Sequence, residues 1–342
     1  MTEHEMKTNP LRVSLSSTRM QQILSMGVPM KRKNFLLVLI TLLLMPSLSF
    51  SGTLFQEDFE DSNFSARGWY DGTYKTNAIT SSQYQNGTHS YECHFTQGSN
   101  YCAGGDPRRM LFTATDSVYV SYWMKLSSNW VGSGTNYHPH IMYLLTDQNG
   151  AYDGLAITNV TAYLEVNATK PRIGIQDGTN IDKNNLNVNL CNTSENRAVA
   201  GCNGTCDSDP WDAPAGCYDL TGNGDYTNGK LYTPNANLTT NAWHHIEAYL
   251  KMNSISGGKG QKDGIMQMWV DGSQVMNFTD IIYRTNQHPT MKWNQFIMAP
   301  YNAPPGGSPA DQYFWLDDLT VATSRASQDP IAPSPPANLR VN

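Results

Sequence analysis

The chain has 342 residues, a formal net charge of -6 and a pI near 5.7, with 39% hydrophobic and 11% aromatic residues. That acidic balance argues against nucleic-acid binding, for which a basic patch would be the electrostatic footprint. Plentiful Gly, Asn, Ser and Thr suit short strands joined by turns rather than long helices.

In chain order, residues 1–29 are polar, lack periodicity and read as an upstream extension. Met30 then opens a signal-peptide pattern over 30–51: basic Lys31, Arg32 and Lys33, an apolar run from Phe35 to Met45, and small residues up to Ser51. The run falls short of the roughly 20 residues of a membrane span. The expectation is an exported chain, secreted or periplasmic/cell-surface, with no span in its mature part. Residues 52–326 read as one β domain, since sandwiches of this size form single units.

The mature start, LFQEDFED, carries Glu57 and Glu60. Cys93 and Cys102 stand apart from the other four cysteines and are expected to pair across a short loop, because an even count in an exported chain reads first as disulfides. Residues 117–126 alternate, with Val118, Val120, Tyr122 and Met124 on one face and Tyr119, Ser121, Trp123 and Lys125 on the other. In NYHPHIMYLL, alternation sets His138 and His140 opposite Ile141, Tyr143 and Leu145. In KPRIGIQDG it sets Arg172 and Gln176 opposite Ile173 and Ile175. If both strands share a sheet, His, Arg and Gln converge on its non-core face; the competing reading is an ordinary solvated face.

From 180 to 234 the chain turns Asn-, Gly- and Asp-rich, and Cys191, Cys202, Cys206 and Cys217 follow C-x10-C-x3-C-x10-C. The spacing suits nested bridges, 191 with 217 and 202 with 206. Two other pairings and a zinc site stay open. A loop this long needs tying down, so it reads as a disulfide-stapled excursion.

Residues 243–252 alternate Ile246, Ala248, Leu250 and Met252 against His245, Glu247, Tyr249 and Lys251. A strand from Ile265 ends in Asp271-Gly272, a hairpin signal. YRTNQHPTMKWNQF gathers Arg284, Asn286, His288 and Asn294, Tyr301 precedes a PPGG turn, and 313–322 forms the last strand. Trp123, Tyr249 and Trp269, opposite their strands' apolar sets, are candidate platforms for sugar rings, and His288 of the second cluster is a further candidate sugar contact. A Pro-rich linker over 327–342 ends like the start of a fibronectin type III module.

Two segments carry a family resemblance. WHHIEAYLKMNS with DGIMQMWVDGSQV and IIYR is similar to a run found in jelly-roll polysaccharide lyases acting on alginate and glucuronan, and YFWLDDLTV resembles their closing strand. The resemblance implies an all-β, two-sheet antiparallel jelly-roll sandwich of concanavalin A-like type and a polysaccharide partner, possible cleavage being β-elimination. The lysine-bearing loop of those lyases has no match in NYHPHIMYLLTDQNGAYDG, so their catalytic set does not transfer residue by residue. Elimination needs a base, an acid and a group that neutralises the carboxylate. The candidates are His138, His140 and Tyr301 for proton transfer, and Arg172, Gln176 and Arg284 for the carboxylate. The alternative is a non-catalytic glycan-binding or cell-surface module. A laminarinase-type hydrolase ranks last, because no E-x-D-x-x-E pattern is present. Similar modules hold a structural calcium where the termini meet, which implies Glu57, Glu60 and Asp317 as oxygen ligands.

Overall fold

The computed structural model describes residues 52–72, 78–102, 107–135, 138–151, 160–176, 230–284, 288–302, 304 and 306–325. Residues 1–51, the stretch holding Cys191, Cys202, Cys206 and Cys217, Asn286 and the Pro-rich segment 327–342 lie outside these residues.

The described chain is built from strands β1 (Thr53–Glu57), β2 (Ile79–Thr80), β3 (Ser90–Phe95), β4 (Arg108–Thr115), β5 (Ser117–Leu126), β6 (His140–Thr146), β7 (Thr161–Asn167), β8 (Lys170–Gln176), β9 (Lys230–Tyr232), β10 (Trp243–Lys251), β11 (Ile255–Ser256), β12 (Lys259–Gly260), β13 (Gly264–Val270), β14 (Ser273–Ile281), β15 (Trp293–Tyr301) and β16 (Gln312–Ala322). The helical content described is one 3-10 turn, Phe64–Arg67. Among the described residues no helix is long and apolar enough to cross a membrane.

The strands form an antiparallel sandwich. One sheet has eight strands in the order β14-β13-β10-β5-β16-β3-β2, with β1 also on β16, and the other has six, β4-β15-β6-β7-β8-β9. Alternation explains the packing. Val118, Val120, Tyr122 and Met124 of β5 and Ile246, Ala248 and Leu250 of β10 point inward, onto Met142 and Leu144 of β6, Ile173 and Ile175 of β8, and Phe296 and Met298 of β15. Each such aliphatic side chain contributes about 1.5–3 kcal/mol when removed from water. Asp271 and Gly272 take φ of 51° and 78°, the paired positive values of a type I′ turn, and join β13 to β14 with Val270 opposite Ser273.

β1 pairs with β16 so that Glu57 faces Leu319, which brings the first described strand against the closing strand. Cys93 and Cys102 form a disulfide whose sulfurs lie in the core.

Candidate active site

The candidate site lies on the non-core face of the six-stranded sheet. Strand pairing sets Tyr301 of β15 opposite His140 of β6, His140 opposite Glu165 of β7, and Glu165 opposite Arg172 of β8. Four polar side chains thus stand in one row across four strands. The adjacent row is apolar and aromatic: Ile297, Tyr143 and Tyr163 pack with Leu145 as a cluster separate from the main core. Arg109 of β4 sits opposite Ile297, its Nε 2.8 Å from the Asp71 carboxylate.

His140 and Arg172 therefore reach the same face with β7 between their strands. Tyr143 and Leu145 depart from the expected alternation. The pairing of β6 with both neighbours shifts register after His140, and this irregularity turns Tyr143 and Leu145 onto the face of His140 while Ile141, Met142 and Leu144 enter the core. The rings of His140 and Tyr143 lie 5.5 Å apart. His138 precedes the strand and has φ of 58°, a left-handed backbone rarely held by a non-glycine residue outside turns and functional sites. Its ring meets His140 edge-on at 4.3 Å and Tyr301 at 5.2 Å. Asn167 steadies this segment, its amide donating to the carbonyl oxygens of Thr135 at 2.8 Å and His138 at 3.0 Å.

Glu165 organises the row. It is 2% exposed, one carboxylate oxygen meets His140 Nδ1, and the other accepts from Arg172 Nε at 2.6 Å. Burial alone would raise its pKa, but His140 and Arg172 outweigh that and hold it below the usual carboxylate range. His138 moves the other way for a base. Burial, with the positive surroundings of His140 and Arg172, takes its pKa down to about 3 against a smaller upward pull from Glu165. The His138 imidazole is thus neutral at neutral pH.

The other sequence candidates fall elsewhere. Gln176 pairs its backbone with Thr161, while its side chain lies outside the described residues. Arg284 is not brought to the row: it donates to the Asn253 and Met291 carbonyl oxygens and the Asp116 carboxylate at 2.8–2.9 Å, near the Trp293 end of β15, whereas Tyr301 closes the other end. Met291 N–H donates to the carbonyl oxygen of His288, which places that histidine in the same turn region. Trp123 and Tyr249 stand half-buried on the outer face of the eight-stranded sheet, Trp123 against the His245 ring at 5.0 Å. Trp269 is not an open platform, because the Arg325 guanidinium covers its ring at 4.3 Å and leaves it 8% exposed.

Each of the three carboxylates expected to hold calcium accepts hydrogen bonds from the protein. Glu57 takes the Arg67 and Trp69 side chains and the Phe59 N–H, Glu60 takes Thr88 and the His89 N–H, and Asp317 takes the Gln85 and Asn86 N–H groups. Among the described residues no group of three or more His, Cys, Asp or Glu is arranged to hold a metal ion.

Sequence reading missed Glu165 and Tyr163, although TAYLEVN alternates and sets both on one face. It also missed Arg109 and Tyr101, which carry no comparable local signal.

No family model and no curated protein matches the chain. Solved structures similar to it include the alginate lyase vAL-1 from Chlorella virus, with 12% identity, a TM-score of 0.48, and 72% of this chain and 89% of that one covered. A marine PL-14 alginate lyase from Aplysia kurodai has 14% identity, a TM-score of 0.49 and coverage of 80% and 99%. An endo-beta-1,4-glucuronan lyase from the fungus Trichoderma reesei has 13% identity, a TM-score of 0.43 and coverage of 80% and 92%.

Proposed function

We propose that this is an exported polysaccharide lyase that cleaves a uronate-containing polymer by β-elimination. The observation that carries the reading is the row Tyr301, His140, Glu165 and Arg172 with the neutral His138 against it. Arg172 and His140, oriented by Glu165, receive the uronate carboxylate. Neutralising it acidifies the proton on the adjacent carbon. His138 takes that proton, the electron pair forms the new C=C bond, the C–O bond to the neighbouring sugar breaks, and Tyr301 gives its hydroxyl proton to the leaving oxygen. Burial is the main cause of the low proton affinity of His138, and the arriving carboxylate adds negative charge that offsets the smaller lowering by His140 and Arg172.

Ultraviolet absorbance tests this directly, because the unsaturated sugar absorbs and the intact polymer does not. Wild type mixed with alginate, glucuronan and other uronate polymers is expected to give a rise on at least one, and His138→Ala to slow it by roughly 100- to 10,000-fold. Retention on a polymer with no absorbance change on any would sink the lyase and leave a glycan-binding module.

A further inference from the structure

Beside the row lies a rigidly held aromatic ring that the elimination step does not use. Tyr101 is 61% exposed. Its backbone forms an isolated bridge with Tyr301, and the two rings lie 5.1 Å apart. The loop beneath it is fastened at several points. Cys102 is bonded to Cys93, Ser99 Oγ donates to the Tyr101 carbonyl at 2.7 Å, Asn302 N–H donates to the Asn100 carbonyl at 2.8 Å, and Ser308 N–H donates to the Ser99 carbonyl at 2.9 Å. An exposed ring anchored this way loses little conformational entropy when a ligand covers it.

Next to this loop is a cavity of about 560 Å³ whose lining includes Gln97, Gly98, Ser133, Thr135, Gly307 and Ser308. That volume falls within the range of small-ligand sites. Gly307, with φ of 76°, lets the backbone come so close to Gly98 that a Cβ would collide with the Gly98 carbonyl oxygen. The wall is continuous with the row, because Asn167 holds Thr135 and His138 together. None of its described lining side chains carries a charge. The closest carboxylate by hydrogen bonding is Asp311, which accepts the Gln97 N–H at 3.0 Å. Hydroxyls and backbone amides suit a sugar's hydroxyl groups, whereas a second carboxylate would meet no cation and the repulsion of Asp311.

We propose that Tyr101 and this groove form a subsite for an uncharged sugar residue next to the uronate held at the row. The proposal rests on the lyase reading for the position of that uronate, and it deepens the substrate class: a polymer that mixes uronate with neutral sugars is preferred over one with a carboxylate on every residue.

The test measures binding and turnover separately. Wild type, Tyr101→Ala and Gln97→Arg are run by affinity electrophoresis in gels containing glucuronan or partly carboxyl-reduced glucuronan, with absorbance assays in parallel. Wild type is expected to be retained at least as strongly on the reduced polymer, and Tyr101→Ala to bind it roughly 3- to 10-fold more weakly. Gln97→Arg is expected to shift preference towards the fully carboxylated polymer. Unchanged retention of Tyr101→Ala, no retention of wild type on either gel, or wild-type preference for the fully carboxylated polymer overturns the subsite. The expected retention pattern without an absorbance rise upholds the subsite, and the lyase reading falls with it only if alginate and the other uronate polymers also give no rise. A rise with retention unaltered in Tyr101→Ala does the reverse.

Discussion

Each sheet carries on its outer face a buried glutamate held between a histidine and an arginine, and the two clusters behave differently. On the eight-stranded sheet, Arg325 grips both oxygens of Glu247 at 2.8 and 2.9 Å and lies over Trp269, while Tyr119 donates to the same carboxylate at 2.6 Å. His245 stands 3.8 Å from Glu247 and shares a 2.8 Å hydrogen bond with Ser121. Burial drives the Tyr119 pKa well up, with the Glu247 hydrogen bond adding to it. The charges of Arg325 and Glu247 are spent on each other, and the result fastens the segment that follows β16. On the six-stranded sheet, Glu165 gives one oxygen to His140 and the other to Arg172, from strands on either side of it. The carboxylate there works as a spacer that orients two donors beside His138, Tyr301 and a groove. Residue composition alone does not separate a clamp from a site; the division of the carboxylate and the space beside it do.

The comparison is broken most directly by removing each carboxylate's charge. Glu165→Gln removes the carboxylate paired with the buried Arg172 cation and is expected to cost about 3–5 kcal/mol in urea unfolding. Glu247→Gln leaves Arg325, whose side chain is 25% exposed, able to reach water, and is expected to cost about 1–2 kcal/mol. Equal losses at the two positions would erase the distinction.

Replacing Cys93 and Cys102 by alanine opens a loop with sequence separation 9 and is expected to lower stability by about 2–3 kcal/mol. The same variant sharpens the functional side of the comparison, because the loop carries Tyr101. Weaker polymer retention is expected, whereas retention equal to wild type would mean that the hydrogen bonds to Asn302 and Ser308 hold the ring unaided.

A further effect lies in pH. His138 stays unprotonated down to about 3 in the folded chain and takes up its proton near 6.5 when unfolded. Between those values the unfolded state binds more protons, so stability is fully present above pH 6.5 and declines as pH falls. Urea midpoints followed downward from pH 6.5 are expected to fall more steeply for wild type than for His138→Gln. Parallel lines would show that the His138 environment does not favour the neutral ring.

Local sequence determined the strands whose neighbours merely repeat the alternation. β5 spans the Ser117–Leu126 run with its four apolar positions inward, β10 follows the same rule, and Asp271-Gly272 supplies the turn that two positive φ values require. These depend on the pleat and on backbone sterics, which act over a few residues. The Cys93–Cys102 pairing was legible for a similar reason, since short separation makes one partner available. Tertiary structure alone decided what depends on remote partners. The irregular pairing of β6 put Tyr143 beside His140, β7 inserted Glu165 between His140 and Arg172, and Arg325 closed over Trp269. Arg67 and Trp69 claimed Glu57, and the bridge to Tyr301 set Tyr101 at the edge of the row. A one-residue change of register reverses the faces of everything after it, and an ion pair forms with whichever charge the fold delivers. Neither is written into the spacing of a single strand.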